Sequence, residues 1–455
     1  MLVSYERYSP VNYIPMTPSR RTGRKEERET QPVIFEADEA LLAEAKAIGQ
    51  DALRVISKLQ RSGHEAYLVG GCVRDLLIGR APKDFDVATS AHPRQVKRLF
   101  RNGRIIGRRF RLVHVRFGGE IIETATFRRE PPESTGDDGD LLIVEDNEYG
   151  TAAEDARRRD FTVNGLFLDP FGGEIIDYVG GLDDLDDRVL RTIGDPNRRL
   201  PEDPVRILRA IKFSTRLDFR IEDETWEAMK ACSSDLQRSA PPRILEEVLR
   251  LLRSGTALGA FKRLRSCGAL GPILPGLNKY LSDFEDDAPR TQSFFSLLEA
   301  LDADIHSGAQ LSSAVLVATL VHDLVAAKLP PVDAGSSGPT VREIAKAADS
   351  ILDPFTQSSR LPKRDAAKAR RLLTLQGKFT NAANERTRPL LFCLMEDFED
   401  ALALFRIRTR ALGRGWDIYE GWVDRARQAA SLSDEELTVE RKTGRRRRRR
   451  PRKRK

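Results

Sequence analysis

The chain is poor in cysteine and lacks any long apolar run. Its four cysteines, at 72, 232, 267 and 393, are scattered through 455 residues without a C-x-x-C pair, which excludes a disulfide framework. No stretch of about 18 apolar residues occurs, so no transmembrane helix is expected. The opening segment "MLVSYERYSPVNYIPMTPSRRTGRKEERET" has no apolar core of the secretory kind. No G-x-x-x-x-G-K-S/T is present either, which excludes a P-loop ATPase. Together these absences lead to the expectation of a reduced, cytoplasmic protein without membrane contact.

Acid is missing from one place in particular. The last fifteen residues, "RKTGRRRRRRPRKRK", hold twelve Lys and Arg and no Asp or Glu, and without them the formal net charge falls from +7 to −5. The remainder is therefore mildly acidic, and the basic character sits in a tail. Residues 433–455 are expected to be disordered, because such a composition cannot bury a core. The tail suits a polyanion, since each neutralised phosphate releases counterions. A solvated solubility tail is the plainer alternative.

What is present is enough apolar material for real cores: 40% of the residues, with 20 Phe. The length is too great for one compact core, so two to four domains are expected. Residues 1–35 are rich in Pro, Thr and Arg and are expected to be flexible. "DEALLAEAKAIGQDALRVISKLQRSG" repeats apolar positions at helical spacing. "EAYLVGG" (65–71) then reads as a strand ending in a turn, and "CVRDLLIG" as a short helix with Gly79 past its end. "DFDVAT" reads as a strand, "PRQVKRLF" as a helix, and "RLVHVRFGGEIIETATF" as a hairpin turning at Gly118 and Gly119. The stretch 128–153, rich in Pro, Gly and acid, reads as a mobile loop. After about residue 195 helical patterns dominate as far as about 430. The expected fold is thus an α/β head with a mixed sheet at 36–168, a helical neck at 169–275 and a helical body at 276–432.

One short stretch raises a chemical question. "YLVGGCVRDLLIGRAPKDFDVATS" (67–90) sets two glycines and an arginine just before a D-F-D. In a strand, side chains alternate, so Asp84 and Asp86 would share a face about 6 to 7 Å apart. Two such carboxylates repel unless a cation joins them, and Mg²⁺ takes a few carboxylate oxygens together with phosphates. Gly70 and Gly71 let backbone N–H groups approach a triphosphate, and Arg74 can take phosphate charge. D-x-D alone is weak, because surface strands often carry it.

Its company is more specific. "GGCVRD", "DFD", "RRDFTVNGL" (158–166), "GGLDDLDDRVLRTIGDP" (180–196) and "EDPVRILRA" (202–210) follow one another in order. This resembles the class II nucleotidyltransferase family, the bacterial poly(A) polymerases and CCA-adding enzymes, over roughly residues 60–255. The resemblance implies that Asp84 and Asp86 are ligands of catalytic Mg²⁺ in a two-metal site, with a third carboxylate on a neighbouring strand. Glu123 is the choice for that position and Glu120, a turn residue, the runner-up. It also implies that Arg158 and Asn164 lie near the ribose and phosphates of ATP, with Asp160 bracing their segment. Asp203 and Arg206, beside Glu202, would read the base edge, although Asp203 before Pro204 is also an ordinary helix cap.

"IIGRRFRLVHV" (105–115) is similar to a segment of the poly(A) polymerases, which favours AMP addition to RNA 3′ ends over CCA addition to tRNA. Arg108, Arg109 and Arg111 would serve RNA there, or form a solvated edge. The basic helix "SRLPKRDAAKARRLLTLQGKF", with Lys363 and Arg364, is similar to one those polymerases carry. The expected partners are RNA 3′ ends and, through the tail, RNA-decay machinery, for a chain that is a monomer. A non-catalytic RNA-binding scaffold is the alternative of another class, and the intact acids argue against it. Three other signals carry less: His322 in "VHDLV", with only His306 near it in sequence, reads as a packed histidine. Cys72 has no base partner. Trp416 and Trp422, at helical spacing, read as packing for the body.

Overall fold

The computed structural model describes residues 31–107, 111–129, 148–283, 288–330, 338–380 and 389–432. It divides into two compact units, Met1–Arg206 with Asp218–Cys232, and Ile207–Leu217 with Ser233–Lys455.

The first unit is built on eight strands: β1 (Val33–Glu36), β2 (Ala66–Val69), β3 (Asp86–Thr89), β4 (Gly103–Ile106), β5 (Leu112–Phe117), β6 (Glu120–Thr126), β7 (Leu166–Asp169) and β8 (Glu174–Asp177). Their order in the sheet is β1-β8-β7-β2-β3-β6-β5-β4. Within it β3 and β6 run parallel and the other neighbours antiparallel, which makes the sheet mixed, as expected. The amphipathic helix Gln50–Arg61 turns Ala52, Val55, Ile56 and Leu59 inward at three- and four-residue spacing. A further apolar nucleus joins Val69, Ala88, Phe127, Ala152, Ala156, Phe167 and Ile176. Each large apolar side chain so buried contributes about 1.5–3 kcal/mol.

Several boundaries differ from the sequence reading. The sheet begins at Val33, inside the segment expected to be flexible, because Val33–Glu36 pairs with β8. The first unit also runs past residue 168: β8 belongs to the same sheet, and a small parallel pair joins Val189–Leu190 to Arg220–Ile221. Those dipeptides are too short for periodicity to reveal. The hairpin turn at Gly118 and Gly119 is present, with Phe117 opposite Glu120. "EDPVRILRA" spans the end of one helix, Pro196–Glu202, and the start of the next, Val205–Leu217, because Pro204 lacks the N–H that a continuous helix would use. Of the acidic loop, Tyr149 bridges to Arg128 and Thr151 caps a helix starting at Ala152, while residues 130–147 lie outside the described residues.

The second unit is helical. Ser313–Ala326 is buried along most of its length and packs against Lys363–Thr380 and Phe398–Leu412. Trp422 is fully buried, set edge-on to Phe379 and Phe392, and its indole N–H donates to the Phe379 carbonyl at 3.0 Å. A ring so enclosed packs the unit, as the helical spacing suggested. His322 lies on the buried Ser313–Ala326 helix, its Nδ1 2.8 Å from Asp323 Oδ1, and burial, then Arg408, hold its pKa down. The reading of a packed histidine stands. Lys363 and Arg364 are exposed at the start of their helix. The segments 1–30 and 433–455, and with them the basic tail, lie outside the described residues.

Candidate active site

The glycine turn sits where β2 ends. Gly70 has φ +74°, a conformation that L side chains seldom adopt, and its N–H donates to the Leu166 carbonyl at 3.2 Å. A Cβ there would stand 3.0 Å from Arg159 Nη1. Gly71 opens the helix Gly71–Leu77. Cys72 is buried, its thiol pushed up to about 12 by burial, which removes it as a nucleophile.

Arg74 differs from the expectation. It is 1% exposed; its Nε and Nη2 donate to Asp75 Oδ1 at 2.9 and 2.6 Å, and Nη1 to Asn164 Oδ1 at 2.5 Å. The guanidinium is thus engaged inside the protein, bracing the glycine turn against the "RRDFTVNGL" segment. Asp160 completes that brace, accepting from the Phe161 N–H at 2.9 Å and from Asn164 Nδ2 at 3.1 Å. Asn164 is 5% exposed.

The acids lie along adjacent strands. Asp86 is the first residue of β3 and is directly opposite Glu123 on β6. Asp84 precedes the strand instead of lying within it, so alternation along β3 is not what pairs it with Asp86. Asp86 keeps an exposed surface; partial desolvation by its surroundings, then Glu123 and then Asp84, push its carboxyl up to about 6, with Arg159 opposing. Glu120 stands at the turn end of β6, opposite Phe117, and is exposed. Among the described residues no group of three or more His, Cys, Asp or Glu is already drawn together as a metal cage.

A cluster of arginines gathers around Arg158. Burial, then Arg128, Arg159, Arg199 and Arg206, hold Arg158 down to about 9. Burial, then Arg199, hold Arg206 down to about 10, with Asp203, Asp160 and Glu202 opposing. Arg206 Nη1 donates to the Arg199 carbonyl and lies 3.6 Å from Glu202 Oε2. Arg159, which the sequence reading passed over for its neighbour, pairs with Asp155 Oδ2 at 2.9 Å, lies over the Phe167 ring and acts on both Asp86 and Arg158. The signal was the Asp155–Arg159 spacing, one helical turn. Arg111 is exposed, and its carbonyl accepts from Arg128 Nη2 at 3.4 Å; Arg108 and Arg109 lie outside the described residues.

A raised carboxylic acid costs stability once it ionises. The folded-state pKa of Asp86, about 6, exceeds the ordinary 3.8, so the unfolded chain releases this proton first. Metal-free protein should therefore lose stability as pH rises from about 4 to about 6, and the loss should be complete above that window. The difference in thermal midpoint between wild type and Asp86→Asn, followed across this range, measures it: the variant gains on the wild type as pH rises.

Three family models match the chain: the poly A polymerase head domain at residues 66–191, the probable RNA and SrmB- binding site of polymerase A at 218–281, and the polymerase A arginine-rich C-terminus at 337–455. Poly(A) polymerase I of Escherichia coli O157:H7 is 39% identical over 353 residues, 76% of either chain. The chain belongs to the poly(A) polymerase family. It is accordingly a nucleotidyltransferase. The CCA-adding enzyme of Lactobacillus helveticus is also 39% identical, but over 200 residues, 44% of this chain and 49% of its own. Among solved structures, the Bacillus stearothermophilus CCA-adding enzyme in complex with CTP superposes with TM-score 0.61 and 27% identity, covering 84% of this chain and 82% of that one.

Proposed function

We propose that this nucleotidyltransferase extends RNA 3′ ends with AMP from ATP, without a template. The observation that carries the reading is the reach of the likeness. The poly(A) polymerase relative aligns over 76% of the chain and the CCA-adding relative over 44%, and the arginine-rich C-terminus of polymerase A matches as well. The fold over most of the chain is shared with CCA-adding enzymes as well, and it is the sequence beyond the head that favours the polymerase.

The donor set fits a hard divalent cation. Asp84, Asp86 and Glu123 offer only carboxylate oxygens; desolvation and then repulsion by Glu123 and Asp84 raise Asp86, and a cation would relieve that repulsion. These three residues would hold Mg²⁺, which when bound supplies charge neutralisation and a lowered pKa for the attacking hydroxyl. In the reaction the RNA 3′ oxygen bonds to the α-phosphorus, the bond to pyrophosphate breaks, and the hydroxyl proton passes to solvent. Arg158 and Arg159 are assigned to the triphosphate, since Arg158, held down by burial and by its arginine neighbours, gains when an anion enters. Arg74 and Asn164 hold the turn of Gly70 and Gly71 in place from behind. Asp203 and Arg206 are assigned to the adenine edge. An arginine pinned by Arg199 and Glu202 presents one fixed donor pattern, which suits one base. Lys363, Arg364 and the basic tail are assigned to RNA and to partners of RNA decay, for a monomer working in the cytoplasm.

The test supplies purified protein and Mg²⁺ with a short unstructured RNA and each nucleoside triphosphate singly. A ladder of many additions with ATP alone is expected. If that RNA stays unextended while a tRNA lacking its terminus gains C, C and A, the CCA reading replaces this one.

A further inference from the structure

Strand register places one row of side chains across four strands. Arg104 on β4 is opposite His114 on β5, His114 is opposite Glu123 on β6, and Glu123 is opposite Asp86 on β3. Residues opposite one another in register project from the same face, so the row leads from the edge strand to the acids. Within it His114 Nε2 lies 3.2 Å from Glu123 Oε1.

We infer that His114 is a positioning residue of the active site: its imidazole N–H holds the Glu123 carboxylate in the orientation the reaction uses. The inference rests on the assignment of Glu123 to the acid cluster. The physical need is plain. The Glu123 side chain is 53% exposed, so packing does not fix its rotamer, and the like charge of Asp86 beside it favours a rotamer that swings away. A donor on the next strand opposes that swing. It engages one carboxylate oxygen and leaves the other free to face a cation or the acceptor hydroxyl. His114 is 27% exposed and anchored in mid-strand between Val113 and Val115, both fully buried. The donor is therefore the more rigid partner of the pair. The plainer account, an exposed cross-strand pair that adds a little to sheet stability, makes a different prediction.

Two substitutions separate them. His114→Phe keeps a ring and removes the donor; His114→Gln keeps a donor. The measurements are kcat and the KM values for ATP and RNA, Mn²⁺ binding to RNA-free protein by electron paramagnetic resonance, and the thermal midpoint. His114→Phe is expected to lower kcat and Mn²⁺ affinity by about 10-fold or more, as removing the partner that orients a ligand does, with the KM for ATP and the midpoint unchanged. His114→Gln is expected to restore most of both. Equal behaviour of the two variants, whether both match wild type or both fall, overturns the inference. Glu123→Gln is the control on the underlying assignment. If it retains full kcat and Mn²⁺ affinity, Glu123 is not part of the site and the fault lies there, whatever the His114 variants do.

Discussion

Asp86→Asn is expected to abolish nucleotide addition while leaving the protein folded and, near neutral pH, slightly more stable. The two effects have one cause. Partial desolvation and the charges of Glu123 and Asp84 disfavour ionised Asp86, so removing the charge relieves the folded state, by a small amount because the residue is exposed. The same charge is what the chemistry needs, because a carboxylate that neutralises a cation at the reacting phosphate is worth several kcal/mol in the transition state. At tenfold per 1.36 kcal/mol, a loss of kcat of about 10³-fold or more follows. A radiolabelled-ATP incorporation assay and a thermal melt at pH 7 read both quantities on one preparation. Loss of activity with a lowered midpoint would mean that the substitution damaged the fold, and the acid would then be structural. Activity within about tenfold of wild type would remove Asp86 from the reaction, since one misplaced ligand already costs that much. Glu120→Gln, at the exposed turn end of β6, is the neighbouring control and should match wild type.

The fold class was legible because its signals are local. The glycine turn, the strand that begins at Asp86 and the hairpin at Gly118 and Gly119 each declare themselves within ten residues, and the order of the motifs from the glycine turn onward carried the family resemblance. The opposition of Glu123 and Asp86 was anticipated only through that resemblance. It depends on β3 and β6 running parallel side by side, a long-range fact that no window of sequence contains. The same limit explains Arg74. Beside a glycine turn an arginine reads as a phosphate ligand, yet Asn164, ninety residues on, takes its guanidinium. Arg159 was hidden for the opposite reason: in the run Arg157–Arg159 the three side chains look equivalent, and only the four-residue spacing from Asp155 sets Arg159 apart. His114 carried no sequence signal at all, since a histidine alternating within a strand is unremarkable until its neighbours across the sheet are known.

The motif "GGLDDLDD" is where the resemblance told least about physical purpose, and Gly181→Ala is the substitution that would expose it. A Cβ at Gly181 would fall 2.3 Å from the Thr162 carbonyl oxygen, and backbone cannot swing aside as a side chain can. Thr162 begins the turn Thr162–Asn164, and its hydroxyl donates to Asp184 Oδ2 at 2.6 Å. Asp184 is itself held by Arg191. Asp177 fixes the approach, accepting from the backbone N–H groups of Val179, Gly180 and Leu182. Asp184 of this motif, with Asp177 just before it, therefore serves as a brace, and the glycine is the place where the brace touches the turn that carries Asn164. Overpacking of this kind typically costs about 1–3 kcal/mol, and contact with backbone puts Gly181→Ala at the upper end. A loss of that size lowers the melting midpoint of a unit of about 200 residues by roughly 6–12 °C. Because Asn164 holds Arg74 beneath the glycine turn, the KM for ATP should rise as well, before the unit melts. Gly180→Ala makes the comparison. Nothing lies within 4 Å of a Cβ at that position, so its penalty is the left-handed backbone alone, about 1–2 kcal/mol. If Gly180→Ala and Gly181→Ala destabilise equally and neither changes the KM for ATP, the motif is an ordinary turn and the coupling to Asn164 is wrong.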